Sequence, residues 1–184
     1  MDSATSALLV VNMQQGYFRD GARVLYNREA LVRNTKSLVD KFRAVWAPVV
    51  FVQQDGPKGS ALEPESPGWI IHSSIQPANR EVVVRKARSS AFADTTLREV
   101  LERRQVDTVV VAGVETEGSV DSTIRHASIL GYKVVAVKDA HSTFDTDVLS
   151  APQIIDHHNM IWERWFAECH SEEDVSFAWQ ACNL

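Results

Sequence analysis

The chain has 184 residues, of which 45% are apolar and 23% charged, a balance that excludes disordered, fibrous and disulfide-scaffold classes. With 19 Lys plus Arg against 24 Asp plus Glu, the net charge is −5, so there is no electrostatic footprint for nucleic acid or an anionic membrane. No apolar run approaches the ~20 residues that span a bilayer, and Met1-Asp2-Ser3-Ala4-Thr5-Ser6 lacks the basic-then-apolar pattern of a signal peptide. The expectation is therefore a cytoplasmic protein with a single domain over residues 1–184.

Ala7-Leu8-Leu9-Val10-Val11 reads as a buried strand. From Ala30 to Trp46, Leu31, Leu38, Phe42 and Val45 recur at helical spacing, which predicts an amphipathic helix. Pro48–Val52 is the next strand. Residues 54–80 then carry Pro57, Pro64, Pro67 and Pro77 with Gly56, Gly59 and Gly68, which mark a long loop of the kind used as a lid or binding segment. Glu81–Val84 is a third strand, and Asp94-Thr95-Thr96 caps a helix to Arg104. Thr108–Gly113 is a fourth strand, followed by a helix to Leu130 that Gly131 ends. Lys133–Val137 is a fifth strand, then come a helix over 151–160, a short apolar segment around Phe166 and a last helix from Glu172.

Continuous Val-rich strands separated by helices predict a parallel sheet of about six strands covered on both faces, an α/β doubly wound sandwich. Ligands of such sheets bind beyond the carboxyl ends of the strands, where the strand order reverses. The residues leaving those ends are Asn12, Gln53, Arg85 and Lys86, the stretch from Glu115 to Ser119, and Asp139 to His141. The glycines of Gly113-Val114-Glu115-Thr116-Glu117-Gly118 lack dinucleotide spacing, and no Gly-x-Ser-x-Gly elbow exists. His157 and His158 are adjacent, a poor spacing for ligands on a helix. Cys169 and Cys182 have no metal spacing and read as inert, reduced thiols.

Each strand-end residue has two readings. Ser119 either caps the following helix or stands where backbone N–H groups and the helix dipole stabilise an oxyanion. Lys86 is either a solvated basic residue or a site group, and Asn12 either a turn former bonded to its own backbone or a site group.

Three motifs, in order, carry a resemblance. Ala7–Val11 runs into Asn12-Met13-Gln14. Lys86 is followed by Ser90-Ala91-Phe92. Gly113-Val114-Glu115-Thr116-Glu117-Gly118-Ser119-Val120 precedes Thr123, Ala127 and Gly131-Tyr132. From about Ala7 to Phe166 the chain resembles the isochorismatase-like, or cysteine hydrolase, superfamily. The resemblance implies a parallel-sheet hydrolase fold and an Asp-Lys-Cys triad that cleaves amide or related bonds. It also implies a cis peptide between Val114 and Glu115 that turns backbone N–H groups of Glu115 and Ser119 toward an oxyanion.

Two of the three triad positions depart from the family pattern: Asn12 replaces the aspartate and Ser119 the cysteine, while Lys86 is kept. A serine needs an adjacent base, and an amide cannot serve as one. A Ser119–Lys86 dyad remains, since a desolvated lysine titrates near neutrality. The true isochorismatases use the aspartate as an acid, which Asn12 also removes. Nothing between Gln53 and His72 matches the Asp-x-His-x-His metal pattern of nicotinamidase-like members, so neither metal nor cofactor is expected. Ser66-Pro67-Gly68-Trp69, Phe144-Asp145-Thr146 and His157-His158-Asn159 resemble a branch of bacterial and fungal cysteine hydrolases.

The expected catalytic set is Asn12, Lys86 and Ser119. The expected pocket walls are Tyr17, Gln53, Trp69 and Glu115, with plain core packing the alternative for Tyr17 and Trp69. Three readings follow: a divergent hydrolase of a small amide or ester; a catalytically inactive member that binds a small ligand or partner; or a cysteine hydrolase deliberately silenced by Asp→Asn and Cys→Ser replacement. The resemblance also implies a homo-oligomer, dimer or tetramer.

Overall fold

The computed structural model describes residues 5–19, 21 and 23–176. Six strands form one sheet: β1 (Thr5–Val11), β2 (Val49–Gln54), β3 (Val82–Lys86), β4 (Val106–Val114), β5 (Lys133–Ser142) and β6 (Glu168–His170). All neighbours are parallel, in the order β3-β2-β1-β4-β5-β6. This is the doubly wound order whose direction reverses between β1 and β4. Four helices connect the strands: α1 (Arg28–Ala44), α2 (Leu97–Arg103), α3 (Asp121–Ile129) and α4 (Ala151–Trp165).

The side-chain period of two divides the core into two layers. Leu9, Val11, Val50, Val52 and Val111 face α2, α3 and α4 and meet Leu97, Leu101, Ile124, Ala127 and Trp162. Leu8, Val10, Phe51 and Val110 face α1 and meet Leu31, Leu38, Val39 and Phe42. Because both faces are covered, β1 and β4 read as unbroken apolar runs rather than alternating ones. Among the described residues, no helix is long and apolar enough to cross a membrane.

The differences from sequence expectation sit at element ends. The α2 helix starts at Leu97, after Asp94 has turned left-handed at φ 56°. Thr96, at its N-cap, makes no side-chain cap, and the Leu97 N–H instead donates to Thr95 Oγ1 at 3.2 Å. Other elements run past their expected ends: β3 continues to Lys86, β4 spans Val106–Val114, β5 continues to Ser142 and α4 to Trp165. The segment near Phe166 leads into β6. No helix begins at Glu172, where residues 172–174 form a turn; the rest of that expected helix and Cys182 lie outside the described residues. Gly131 ends α3 as expected, at φ 89°, a conformation that suits a residue without Cβ.

Candidate active site

The site forms where the ends of β1, β3 and β4 converge. Gly113 makes that convergence possible. It lies opposite Val11 in the β1–β4 register. With φ at 134°, a Cβ built there would stand 1.9 Å from the Val11 carbonyl oxygen. Only glycine lets β4 approach β1 this closely. The chain then passes through a cis Val114–Glu115 bond, in line with the resemblance. A single π-turn over Thr116–Val120 leads into α3.

That turn carries Ser119, which is buried. Its hydroxyl oxygen accepts from Asn12 Nδ2 at 2.9 Å and from Lys86 Nζ at 2.9 Å. Ser119 therefore does not cap a helix: the N-cap of α3 is Val120, with no side-chain cap bond. Asn12 is 1% exposed and left-handed at φ 51°, a region that asparagine tolerates. Its Nδ2 also donates to the Tyr17 hydroxyl at 3.3 Å, so its side-chain amide reaches Ser119 and Tyr17.

Lys86 is only 2% exposed. Its amine donates to Ser119 Oγ and to the Arg88 carbonyl at 2.9 Å, and to Gln54 Oε1. Three donors meet three neutral acceptors. Burial pushes the Lys86 amine down from 10.5 to about 8, because desolvation penalises the charged form. The solvated-lysine reading is therefore excluded. The loop after Lys86 is fixed to α3 by the Ser-Ala-Phe motif. Ala91 N–H donates to Thr123 Oγ1 at 3.0 Å, Ser90 Oγ lies 3.0 Å from His126 Nδ1, and Phe92 stacks on Tyr132.

The four expected pocket residues fall into two groups. Tyr17 and Glu115 stand at the site. Burial first, and then the Glu115 charge, hold the Tyr17 phenol above its ordinary value. Burial and the neighbouring Glu117 raise the Glu115 carboxyl, with Arg23 opposing. Gln53 and Trp69 instead anchor the long loop. Gln53 Nε2 and Gln14 Nε2 both donate to the Trp69 carbonyl, at 2.8 and 2.9 Å. The Trp69 indole N–H donates to Asp55 at 2.8 Å, with the Arg85 guanidinium 5.1 Å from its ring centre. A cleft of about 430 Å³ opens beside Lys86, lined by Asp55, Arg85, Ala87, Arg88 and Asp94.

Gln54 escapes the strand-end reading, whereas Thr116 and His141 lie within the stretches that it names, Glu115 to Ser119 and Asp139 to His141. Gln54 touches Lys86, whereas Gln53, one residue earlier, points to the other face of the sheet. The strand pairing would have revealed it, since Gln54 lies directly opposite Lys86 in the β2–β3 register. Thr116 and His141 join across 25 positions. Thr116 Oγ1 lies 2.9 Å from His141 Nδ1, and His141 Nε2 3.0 Å from Asn159 Oδ1. Since Asn159 Oδ1 only accepts, His141 carries its proton on Nε2 and Thr116 donates to Nδ1. Burial holds His141 down at about 4, so it is neutral at pH 7 and ties the π-turn to β5 and α4.

The His157 and His158 rings lie 5.5 Å apart, and His158 packs on Trp162. Among the described residues, no group of three or more His, Cys, Asp or Glu is placed to hold a metal ion. The Cys169 thiol is free and, chiefly through burial, pushed up to about 12, so it is an inert thiol at neutral pH.

Residues 6–151 match the isochorismatase domain family model. The chain is 39% identical over 150 residues to a streptothricin hydrolase of Streptomyces noursei, across 82% of this chain and 58% of that enzyme. A second streptothricin hydrolase of that species is matched over 53% of its length, so the chain spans under three fifths of either relative. A secreted isochorismatase effector of Verticillium dahliae is 31% identical over 154 residues, across 83% of this chain and 81% of that protein. A crystal structure of an isochorismatase family protein superposes with a TM-score of 0.86 at 32% identity, over 92% of this chain and all of that one.

Proposed function

The chain belongs to the isochorismatase family, and from that premise we propose that it hydrolyses a small-molecule amide or ester, with Ser119 as nucleophile and Lys86 as its base. The observation that carries this reading is the convergence of Lys86 Nζ and Asn12 Nδ2 on the Ser119 hydroxyl, each at 2.9 Å. A lysine at about 8 is neutral in roughly one molecule in ten at pH 7. Neutral Lys86 keeps two N–H donors for Gln54 and the Arg88 carbonyl and turns its lone pair to the Ser119 proton.

The reaction is acyl transfer. Ser119 Oγ attacks the substrate carbonyl carbon while its proton passes to Lys86 Nζ. Asn12 Nδ2 donates to Oγ and holds it in place. Backbone N–H groups of Glu115 and Ser119 are the donors this reading assigns to the oxyanion. The tetrahedral intermediate collapses, the C–N or C–O bond breaks, and Lys86 returns the proton to the leaving nitrogen or oxygen. Water then attacks the acyl-serine ester and gives one proton to Lys86, which restores it to Ser119 as the acid leaves. Asn12 exchanges no proton in this scheme. The name of the streptothricin hydrolases supports hydrolysis as the reaction class.

A second reading is ligand binding without turnover. It is favoured by the neutrality of every hydrogen-bond partner of Ser119 and Lys86 apart from Lys86 itself. Hydrolysis of a panel of small amides and esters separates the two. The comparison covers the protein as it stands, Lys86→Ala, and Asn12→Asp combined with Ser119→Cys. Turnover that Lys86→Ala abolishes is the expected result. Turnover by the double variant alone would refute the serine mechanism and support a binding protein on an intact scaffold.

A further inference from the structure

We propose that Gln54 is a positioning residue of this site: its amide oxygen holds the Lys86 amine on Ser119 without supplying a counter-charge. The inference rests on the Ser119–Lys86 reading above and names what keeps that lysine usable as a base.

The geometry begins with register. Gln54, the last residue of β2, pairs with Lys86, the last residue of β3, so the two side chains leave adjacent strands side by side. Gln54 Oε1 accepts from Lys86 Nζ. Gln54 is itself held. Its backbone N–H donates to Gln14 Oε1 at 2.8 Å, its backbone carbonyl accepts from Gln14 Nε2 at 3.0 Å, and its own Nε2 donates to the Asp55 carbonyl at 3.1 Å. Gln14 is wholly buried, and the same Nε2 reaches the Trp69 carbonyl. One buried amide thus pins both the strand end that carries Gln54 and the long loop.

The charges on surrounding elements are mostly occupied elsewhere. Beyond β2, Asp55 pairs with Arg85 at 2.8 Å and accepts from the Trp69 indole. In the loop after β3, Arg88 pairs with Asp94 at 3.4 Å. On α3, Asp121 pairs with Arg125 at 2.8 Å and accepts from the Trp162 indole. Glu115 precedes the π-turn and Glu117 lies on it, and Glu115 acts on Tyr17. From β1 comes only neutral Asn12. No carboxylate touches the Lys86 amine among the described residues.

That neutrality has a chemical use. A carboxylate in place of Gln54 would fix the amine equally well but would stabilise the ammonium and empty the basic form. An apolar side chain would avoid the charge but leave a buried N–H unpaired. An amide oxygen accepts from both the ammonium and the neutral amine, so the lysine stays oriented through the whole proton cycle.

The test is NMR titration of the lysine Cε–Hε signals in protein carrying 13C-lysine, with Lys86 identified by the signal missing in Lys86→Arg. With Gln54→Glu, the midpoint should rise by at least about one pH unit, a tenfold or greater loss of neutral amine at pH 7. With Gln54→Met, which keeps the volume and removes the acceptor, it should fall below that of the parent protein. Gln54→Met also serves where the glutamate is not tolerated. A midpoint within about 0.3 of a unit of the parent in either variant overturns the inference. The titration reads Lys86 without any substrate. A shifted midpoint with no hydrolysis anywhere sinks the hydrolase reading and leaves the role of Gln54 standing. Hydrolysis whose pH profile is the same in Gln54→Glu sinks the role of Gln54 and leaves the hydrolase reading.

Discussion

Replacing Lys86 by Met should stabilise the protein in a pH-dependent way. The lysine is 2% exposed, and burial lowers it from 10.5 to about 8. Below pH 8 the amine is charged in both folded and unfolded chains, and the folded state carries the full desolvation penalty. Between pH 8 and 10.5 the unfolded chain keeps the proton that the folded chain has released, so stability rises with pH. Above 10.5 both states are neutral and the penalty is gone. At about 1.4 kcal/mol per pH unit, that window carries about 3 kcal/mol. Methionine has no such window. The stability of Lys86→Met minus that of the parent should therefore be flat up to about pH 8 and fall by about 3 kcal/mol by pH 10.5. Other alkaline groups titrate in both proteins and cancel in the difference. Urea unfolding followed by tryptophan fluorescence, at half-unit steps from pH 7 to 10.5, measures it directly. A difference that stays level across the range would refute the picture of a desolvated lysine, and with it the source of the proposed base.

Gly113→Ala should cost at least about 3 kcal/mol and disrupt the site, because the new Cβ meets the Val11 carbonyl oxygen at 1.9 Å; thermal unfolding with near-ultraviolet dichroism reports both, and a Tm within a degree of the parent would contradict the close approach. Trp162→Ala empties a wholly buried site and removes the indole donor to Asp121; a loss of about 3–5 kcal/mol in urea unfolding is expected. Ser119→Ala leaves the Asn12 and Lys86 donors without their shared acceptor. Turnover should drop to the uncatalysed level, with a stability loss of about 1–3 kcal/mol; retained turnover would assign the nucleophile elsewhere.

The amino-acid pattern by itself determined the sandwich. Buried Val and Leu runs over Ala7–Val11 and Thr108–Gly113 have no amphipathic face, and only a sheet covered on both sides accommodates them. It also determined that Asn12 and Lys86 stand at strand ends and Ser119 a few residues beyond one, since chain order and strand length are local properties. Local pattern failed where charge interrupts a buried strand. Lys138 and Asp139 are exposed within β5, so the sequence signal stops at Val137 while the ladder continues to Ser142.

The choice between two roles for one residue belongs to tertiary structure. Ser119 has the chemistry of a cap, but its hydroxyl meets donors from β1 and β3, which lie 107 and 33 positions away. Gln53 and Gln54 are alike in sequence. The β2–β3 register turns Gln54 to Lys86 and leaves Gln53 to hold the loop through the Trp69 carbonyl. The bond between Thr116 and His141 likewise exists only because β5 runs beside β4. Backbone propensity and apolar period act over a few residues, whereas hydrogen-bond partners and desolvation depend on which strands become neighbours. That is why the fold could be read along the chain, while the state of Lys86 could be read only across the sheet.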